Sequence, residues 1–277
     1  MLLRPDPEVR QLLVYALAIC AAKYGIRVHA FCVMSTHYHL IATDPYGVLP
    51  EFLRDFHRLV ALGLKVLRKW EGCAWDHAQT SLVRLTTPEA VVDKIGYVLS
   101  NPVASGLVRY ARDWTGAKSH VNDLGGGRMR AARPTYYFDG EHGHWPDEAE
   151  LELALPPFIA PEDADAWRAA VRESLAAHEE RARRDILAKD WKFLGAERAE
   201  KVSPYERAKS YEPLVSRNPT FAVGGVAGAY AAAVKALREF AAAYDAALAR
   251  WRAGLRDVVF PAGTWWMVRH HGAAVAT

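Results

Sequence analysis

Cysteine is scarce in this chain: Cys20, Cys32 and Cys73 are odd in number, far apart and form no CxxC pair. Neither a zinc ribbon nor a disulfide framework is supported, and the three thiols read as buried and reduced. No uninterrupted apolar run reaches the roughly 18 residues of a membrane span. The opening MLLRPDPEVR lacks the basic-then-apolar order of a secretory signal. Together these absences predict a cytoplasmic protein without a membrane partner. No internal repeat is evident, and no large excess of one charge: the net charge is only +3. That small value hides an asymmetry. Residues 1–133 carry 17 Lys and Arg against 11 Asp and Glu, and the remainder is slightly acidic. A basic first half suits a polyanionic partner and equally suits an ordinary solvated surface.

What is present is globular. The chain has 277 residues, half of them hydrophobic and a quarter charged, enough for one large domain or two modest ones at roughly 150 residues each. Residues 7–24 place Val9, Leu12, Leu13, Ala16, Leu17 and Cys20 at helical spacing, with Asp6 as N-cap, Pro7 at the first helical position and Gly25 as terminator. Residues 26–34 and 37–43 read as two strands joined at Ser35–Thr36. From Leu49 to Trp70 the pattern returns to helix, with Phe52, Phe56, Leu59, Val60, Leu64 and Leu67 on one side. A strand over 80–86 follows. A helix then opens at Thr87 or Pro88 and carries Ile95, Tyr97, Val98 and Leu99 to an expected break at Asn101–Pro102. The order α-β-β-α-β-α predicts an α+β fold, a mixed sheet with helices packed on it. Composition shifts after Ser119: 125–127 with Arg128 and Arg130 read as a flexible loop, 139–165 is acidic and proline-rich, and 163–192 and 226–253 read as helices. The expected division is therefore 1–125 and a mainly α-helical 126–277.

The chemistry-bearing residues lie in the first part. His37 and His39 flank Tyr38 within an apolar run, and positions i and i+2 of a strand share a face, so two imidazoles lie within reach of one cation. Taken alone, the pair fits a half-buried strand without metal better than a metal site. Tyr97 and Asn101 are four apart on the expected helix and project from one face. A tyrosine hydroxyl ionises near pH 10 and is a poor nucleophile unless the group it attacks is polarised nearby, as a metal would do. Asn101 offers a neutral oxygen of the kind that completes a two-histidine site. Taken singly, Tyr97 also fits a core position and Asn101 a helix end before proline.

Three ordered pieces, VMSTHYHLIATD (33–44), YVLSNPVASGLV (97–108) and WTGAKSH (114–120), together resemble the single-tyrosine HUH transposases, in particular the REP-associated tyrosine transposase branch. The third resembles a W-P-G-x-x-S element, with Thr115 in place of proline. The resemblance implies a ferredoxin-like HUH domain with an antiparallel sheet, followed by a C-terminal extension. It implies a DNA transposase that cleaves and rejoins single-stranded DNA through a 5′-phosphotyrosine intermediate. His37, His39 and Asn101 would hold Mg²⁺ or Mn²⁺, and Tyr97 would be the nucleophile. Hairpin DNA is the implied partner, a homodimer a common state, and the nucleoid the implied place of work. Other readings are a binding-only relic of such a transposase and a metal-dependent phosphodiesterase that uses water.

Arg54, Arg58, Lys65, Arg68 and Lys69 form a basic helix that suits phosphate tracking and equally suits solvent. Trp70 and Trp75 suit base stacking or a core. Tyr38 is expected to face away from the metal side, into the core, and His29 to be structural. Arg181, Arg183 and Arg184 sit on a helix whose glutamates balance them, which favours a packing or dimer-supporting role over DNA contact. Residues 260–272 resemble a tail of longer members of the branch. One departure bears on the fold: the family pattern begins with a strand before the first helix, and here the chain starts almost directly on that helix. Its lack is expected to leave a ladder of backbone groups beside the site unpaired, unless another segment fills the gap.

Overall fold

Helix α1 (Pro7–Tyr24) begins where the Asp6 carboxylate accepts a hydrogen bond from the Val9 N–H at 3.0 Å, and it ends on Gly25, whose φ of +66° is the left-handed conformation glycine adopts without cost. The computed structural model describes residues 1–76, 80–140, 143–207 and 220–276, and His77 lies outside them. Among the described residues the chain is mixed α/β, with seven α helices and strands that pair in twos. No described helix is long and apolar enough to cross a membrane. The residues divide into two compact units: Met1–Pro45 with Leu49–Ser81 and Val92–Arg217, and Tyr46–Val48 with Leu82–Val91 and Asn218–Thr277. Of the described residues, 126–140 and 143–207 belong to the first unit and 220–276 to the second.

In the first unit α1 is buried on most of its circumference, because it is covered from two sides. One cover is α2 (Leu49–Arg68), which presents Phe52, Phe56, Leu59, Val60 and Leu64. The other is the antiparallel pair β4 (Arg128–Ala132) and β5 (Glu148–Glu152). Tyr15 meets Phe138 edge-on at 4.9 Å and donates its hydroxyl to Pro146 O at 2.6 Å. Arg128 and Arg130, expected in a flexible loop, are strand residues. Facing glutamates across the ladder supply the reason: Arg128 reaches Glu150 at 3.1 Å and Arg130 reaches it at 2.8 Å.

Strand β1 (Arg27–Val33) and β2 (Tyr38–Thr43) form the expected hairpin, paired from Arg27↔Thr43 to Val33↔Tyr38. The other edge of β1 is occupied by 117–119 and Ala154. Val33 N–H bonds Ala117 O at 2.8 Å, Ser119 N–H bonds Phe31 O at 2.9 Å, and Ala154 N–H bonds Val28 O at 2.8 Å. The residues of the WTGAKSH piece explain this strap. Trp114 is buried and donates its indole N–H to Val33 O at 2.9 Å. Ser119 Oγ accepts from the Phe31 N–H at 3.0 Å. At Gly116 a Cβ would stand 2.4 Å from the Trp114 ring and 2.9 Å from Val33 O, so only glycine fits. No described strand pairs with the outer edge of β2.

Helix α3 (Pro88–Ala104) is capped by the Thr87 hydroxyl, which accepts from Ala90 N–H at 3.1 Å. It runs through Pro102 rather than stopping at Asn101–Pro102. Proline removes one N–H, but the flanking carbonyls are still taken: Asn101 O by Ser105 N–H and Pro102 O by Leu107 N–H, each at 2.9 Å. Termination falls to Gly106, at φ +67°. Helix α4 (Ala164–Ala188) lies within the expected 163–192 and buries Trp167, Val171, Ala182 and Ile186. Its Glu179 accepts from the Ala111 N–H at 2.6 Å, and Arg183 pairs with Glu179 at 3.3 Å, a packing role.

The second unit holds the short strand β3 (Arg84–Leu85), paired in parallel with β6 (Phe221–Ala222). β3 is shorter than the expected 80–86, because most residues ahead of it are exposed and its partner comes from far along the chain. Helix α6 (Ala229–Arg252) follows the short helix α5 (Ala196–Lys201) of the first unit in sequence. The ribbon of β7 (Val259–Phe260) and β8 (Ala274–Val275) encloses α7 (Trp265–His271). A small core of Ala247, Val258, Phe260, Met267 and Ala273 holds these pieces together.

His29, expected to be structural, is buried and satisfied on both nitrogens. Its Nδ1–H donates to Ala154 O and its Nε2 accepts from the Thr43 hydroxyl, each at 2.8 Å. Burial lowers its pKa from the ordinary 6.5. The unfolded chain therefore binds this proton more readily than the native one, and stability that is complete above about pH 6.5 declines as the pH falls. Thermal unfolding followed between pH 8 and 5 should show that decline, and His29→Gln should flatten it while lowering the midpoint at pH 8.

Candidate active site

The site is assembled where β2 and α3 meet α4. His37 lies in the turn just ahead of β2 and His39 on the strand, opposite Cys32. The alternation expected of a strand holds across the pair: the rings of His37 and His39 are 4.9 Å apart and nearly perpendicular, whereas Tyr38 points to the other side. There it packs edge-on against Phe56 at 5.4 Å and hydrogen-bonds His57 at 2.6 Å; burial pushes its phenol pKa up. Tyr38 is thus a core residue, and His57, without an obvious partner in sequence, has one here.

Burial, reinforced by the charge of neighbouring His37, pushes the His39 pKa down to about 4, with Asn101 opposing. The ring is neutral at pH 7. Its Nε2 is shut off from solvent and makes no hydrogen bond of good geometry, while the Asn101 side chain approaches the ring closely enough to oppose the lowering through a hydrogen-bond interaction. A buried nitrogen lone pair without a donor is costly in a folded protein.

The face of α3 that meets β2 carries Tyr97 and Asn101. The Tyr97 ring stands 5.9 Å from that of His39 and is 41% exposed, so it borders the histidines and opens to solvent. Asn101 is buried one turn on and donates its amide N–H to Tyr97 O at 2.9 Å. That bond turns the nitrogen back along the helix, and the amide also interacts with the His39 ring. All four expected site residues are therefore neighbours within one chain.

Helix α4 brings in a residue that sequence reasoning passed over. It crosses α3 at Gly96, where a Cβ would lie 2.3 Å from Ser174 Oγ and 2.9 Å from the Ser174 carbonyl carbon. One turn after Ser174, His178 faces Tyr97 with ring centroids 6.1 Å apart, and its Nε2 lies 2.9 Å from Asp93 Oδ1. Lys94 Nζ sits 5.0 Å from the centre of the Tyr97 ring. Nothing near His178 in sequence marked it: it is one polar residue in a helix crowded with charge, and only the crossing at Gly96 reveals its neighbour.

The basic helix α2 keeps part of its expected surface. Arg58 and Lys69 are exposed, and Lys65 is half-buried. Arg54 pairs with Asp55 at 3.0 Å; burial works against that carboxyl's charge, yet hydrogen bonds from Lys23, Tyr24 and Arg54 hold its pKa well below the usual range. Arg68 is a correction. Its side chain is 7% exposed and bonded to the Asp6 carboxylate, so it anchors α2 to the cap of α1 and is not available to phosphate. Trp75 packs with His57 and Tyr38 and donates to His57 O at 2.8 Å, and Trp70 meets Tyr205; both serve the fold.

Two predictions follow from these contacts. Removing one partner of the buried ion pair with Arg68→Ala should cost about 3–5 kcal/mol in urea unfolding, whereas Arg58→Ala should stay within about 0.5 kcal/mol. Gly96→Ala should destabilise by about 1–3 kcal/mol through overpacking against the α4 backbone, although alanine at an unobstructed helix position would add up to about 1 kcal/mol of stability; a stabilised variant would show that α4 does not approach here.

No family model, curated protein or solved structure matches this chain.

Proposed function

We propose that the protein is a single-tyrosine DNA strand transferase of the HUH type, with Tyr97 as the nucleophile. The observation that carries this reading is the meeting of Tyr97 with the His37/His39 pair, with buried Asn101 one turn away on the same helix. A solvent-open phenol beside two imidazoles is an arrangement a core does not require, and its chemistry fits attack on an incoming phosphodiester.

The donor set fits a divalent cation. His39 is neutral and its buried Nε2 has no well-formed hydrogen bond; His37 lies beside it, and Asn101 brings an amide to the same ring. Among the described residues no three His, Cys, Asp or Glu side chains cluster for a metal; the third donor of this reading is the Asn101 amide. Two nitrogens and an oxygen suit Mn²⁺, and with water ligands Mg²⁺. When bound there, such an ion polarises the scissile phosphate.

The protein's own groups do the rest. The α3 backbone fixes Tyr97 against β2. The phenol oxygen attacks phosphorus, the bond to the 3′ oxygen breaks, and a 5′-phosphotyrosine forms beside a free 3′-hydroxyl. The ester is conserved in the covalent link, so a 3′-hydroxyl can reverse the step without an outside energy source. Exposed Arg58 and Lys69 are the candidates for the DNA backbone, and a single strand or hairpin is the substrate that leaves a phosphodiester accessible to a side chain.

The test uses end-labelled hairpin oligonucleotides with randomised single-stranded flanks, in Mn²⁺ or Mg²⁺, analysed on denaturing gels. Wild type should yield a protein–DNA adduct, Tyr97→Phe none, and His39→Ala a loss of at least about 100-fold. Cleavage that survives Tyr97→Phe without an adduct would assign the reaction to water. Hairpin binding without cleavage would leave a binding protein.

A further inference from the structure

We infer that His178, oriented by Asp93, is the proton acceptor for the Tyr97 hydroxyl; this rests on the strand-transferase reading of Tyr97. The argument begins with the tautomer. His178 Nε2 lies 2.9 Å from Asp93 Oδ1, and a carboxylate only accepts, so the neutral ring carries its proton on Nε2 and its lone pair on Nδ1. The contact with Asp93 thus uses Nε2, and Nδ1 is the nitrogen that can accept a proton. The side chain of His178 is largely buried while that of Asp93 is half-exposed, so the carboxylate sits on the solvent side and the ring on the side of Tyr97.

Position comes next. Tyr97 lies between two imidazoles, His39 at 5.9 Å and His178 at 6.1 Å. The first is the better cation ligand and has no carboxylate to orient it. The second has the carboxylate and lies on a different helix. A nucleophile, an imidazole and a carboxylate holding the imidazole are the three parts of an activated-nucleophile relay. Lys94 lies on the same side, its Nζ 5.0 Å from the centre of the phenol ring. Gly96 makes the relay possible, because only a residue without a side chain lets the Ser174 turn approach closely enough to bring His178 to Tyr97.

The step balances. As the phenol oxygen bonds to phosphorus its proton passes to His178 Nδ1, and the bond to the 3′ oxygen breaks. The departing oxygen takes a proton from solvent and His178 returns one, so the net movement is one proton from phenol to 3′-hydroxyl. On rejoining, the attacking 3′-hydroxyl gives up its proton to solvent, and His178, reprotonated from solvent, gives one to the departing phenolate.

The test measures adduct formation on the same hairpin oligonucleotides by wild type, His178→Ala, His178→Gln and Asp93→Asn, with thermal unfolding of each. His178→Ala should slow adduct formation about 10²–10⁴-fold without loss of DNA affinity, and added imidazole should restore part of the rate. Asp93→Asn should slow it less. Independently of activity, ¹⁵N-histidine spectra of the metal-free protein should show His178 in the Nε2–H form, lost in Asp93→Asn. If wild type forms adduct and His178→Ala matches its rate, or is slow but unmoved by imidazole, His178 is a structural tie between α3 and α4 and the inference falls, while the strand-transferase reading stands. If wild type itself forms no adduct, both fall.

Discussion

Strand β1 is buried along nearly its whole length, and a buried backbone must place every N–H and C=O inside the protein. That constraint organises the first unit. One edge of β1 is met by β2, and the register of that pairing sets His39 opposite Cys32 and turns Tyr38 into the core. The other edge is met by 117–119 and Ala154, which reach it only because Trp114 anchors on Val33 O and Gly116 leaves room for the indole. The strap follows α3 directly in the chain, so the backbone requirement that seats it on β1 also helps hold α3, and with it Tyr97, against the histidine strand.

The parts of this arrangement written in local sequence were legible. Asp6, Pro7 and Gly25 delimit α1 to the residue, because capping is a local transaction between side chain and nearby amides. The strand period separated His37 and His39 from Tyr38, and the helical period put Asn101 on the side of Tyr97. Their adjacency across elements was an expectation from resemblance, and it is met in the structure by the 5.9 Å contact of His39 with Tyr97.

What local pattern could not convey was long-range. Arg68 looked like one more basic residue on an exposed helix face, yet its carboxylate partner lies at the start of α1. Pro102 looked like a helix end, and its neighbours' carbonyls found partners in the following turn. Arg128 and Arg130 looked loop-borne until the glutamates of β5 appeared opposite them. His178 is the sharpest case, since its meaning depends on a single close crossing between helices distant in sequence.

The presence of both histidines, the tyrosine and the asparagine in one chain has a kinetic meaning. An arrangement completed between two subunits comes apart on dilution, and its output rises with the square of protein concentration when the pairing is weak. Here the groups are joined by the β1–β2 hairpin and α3, whose effective concentration for one another does not change when the protein is scarce. A protein present at a few copies per cell would keep the constellation intact in each.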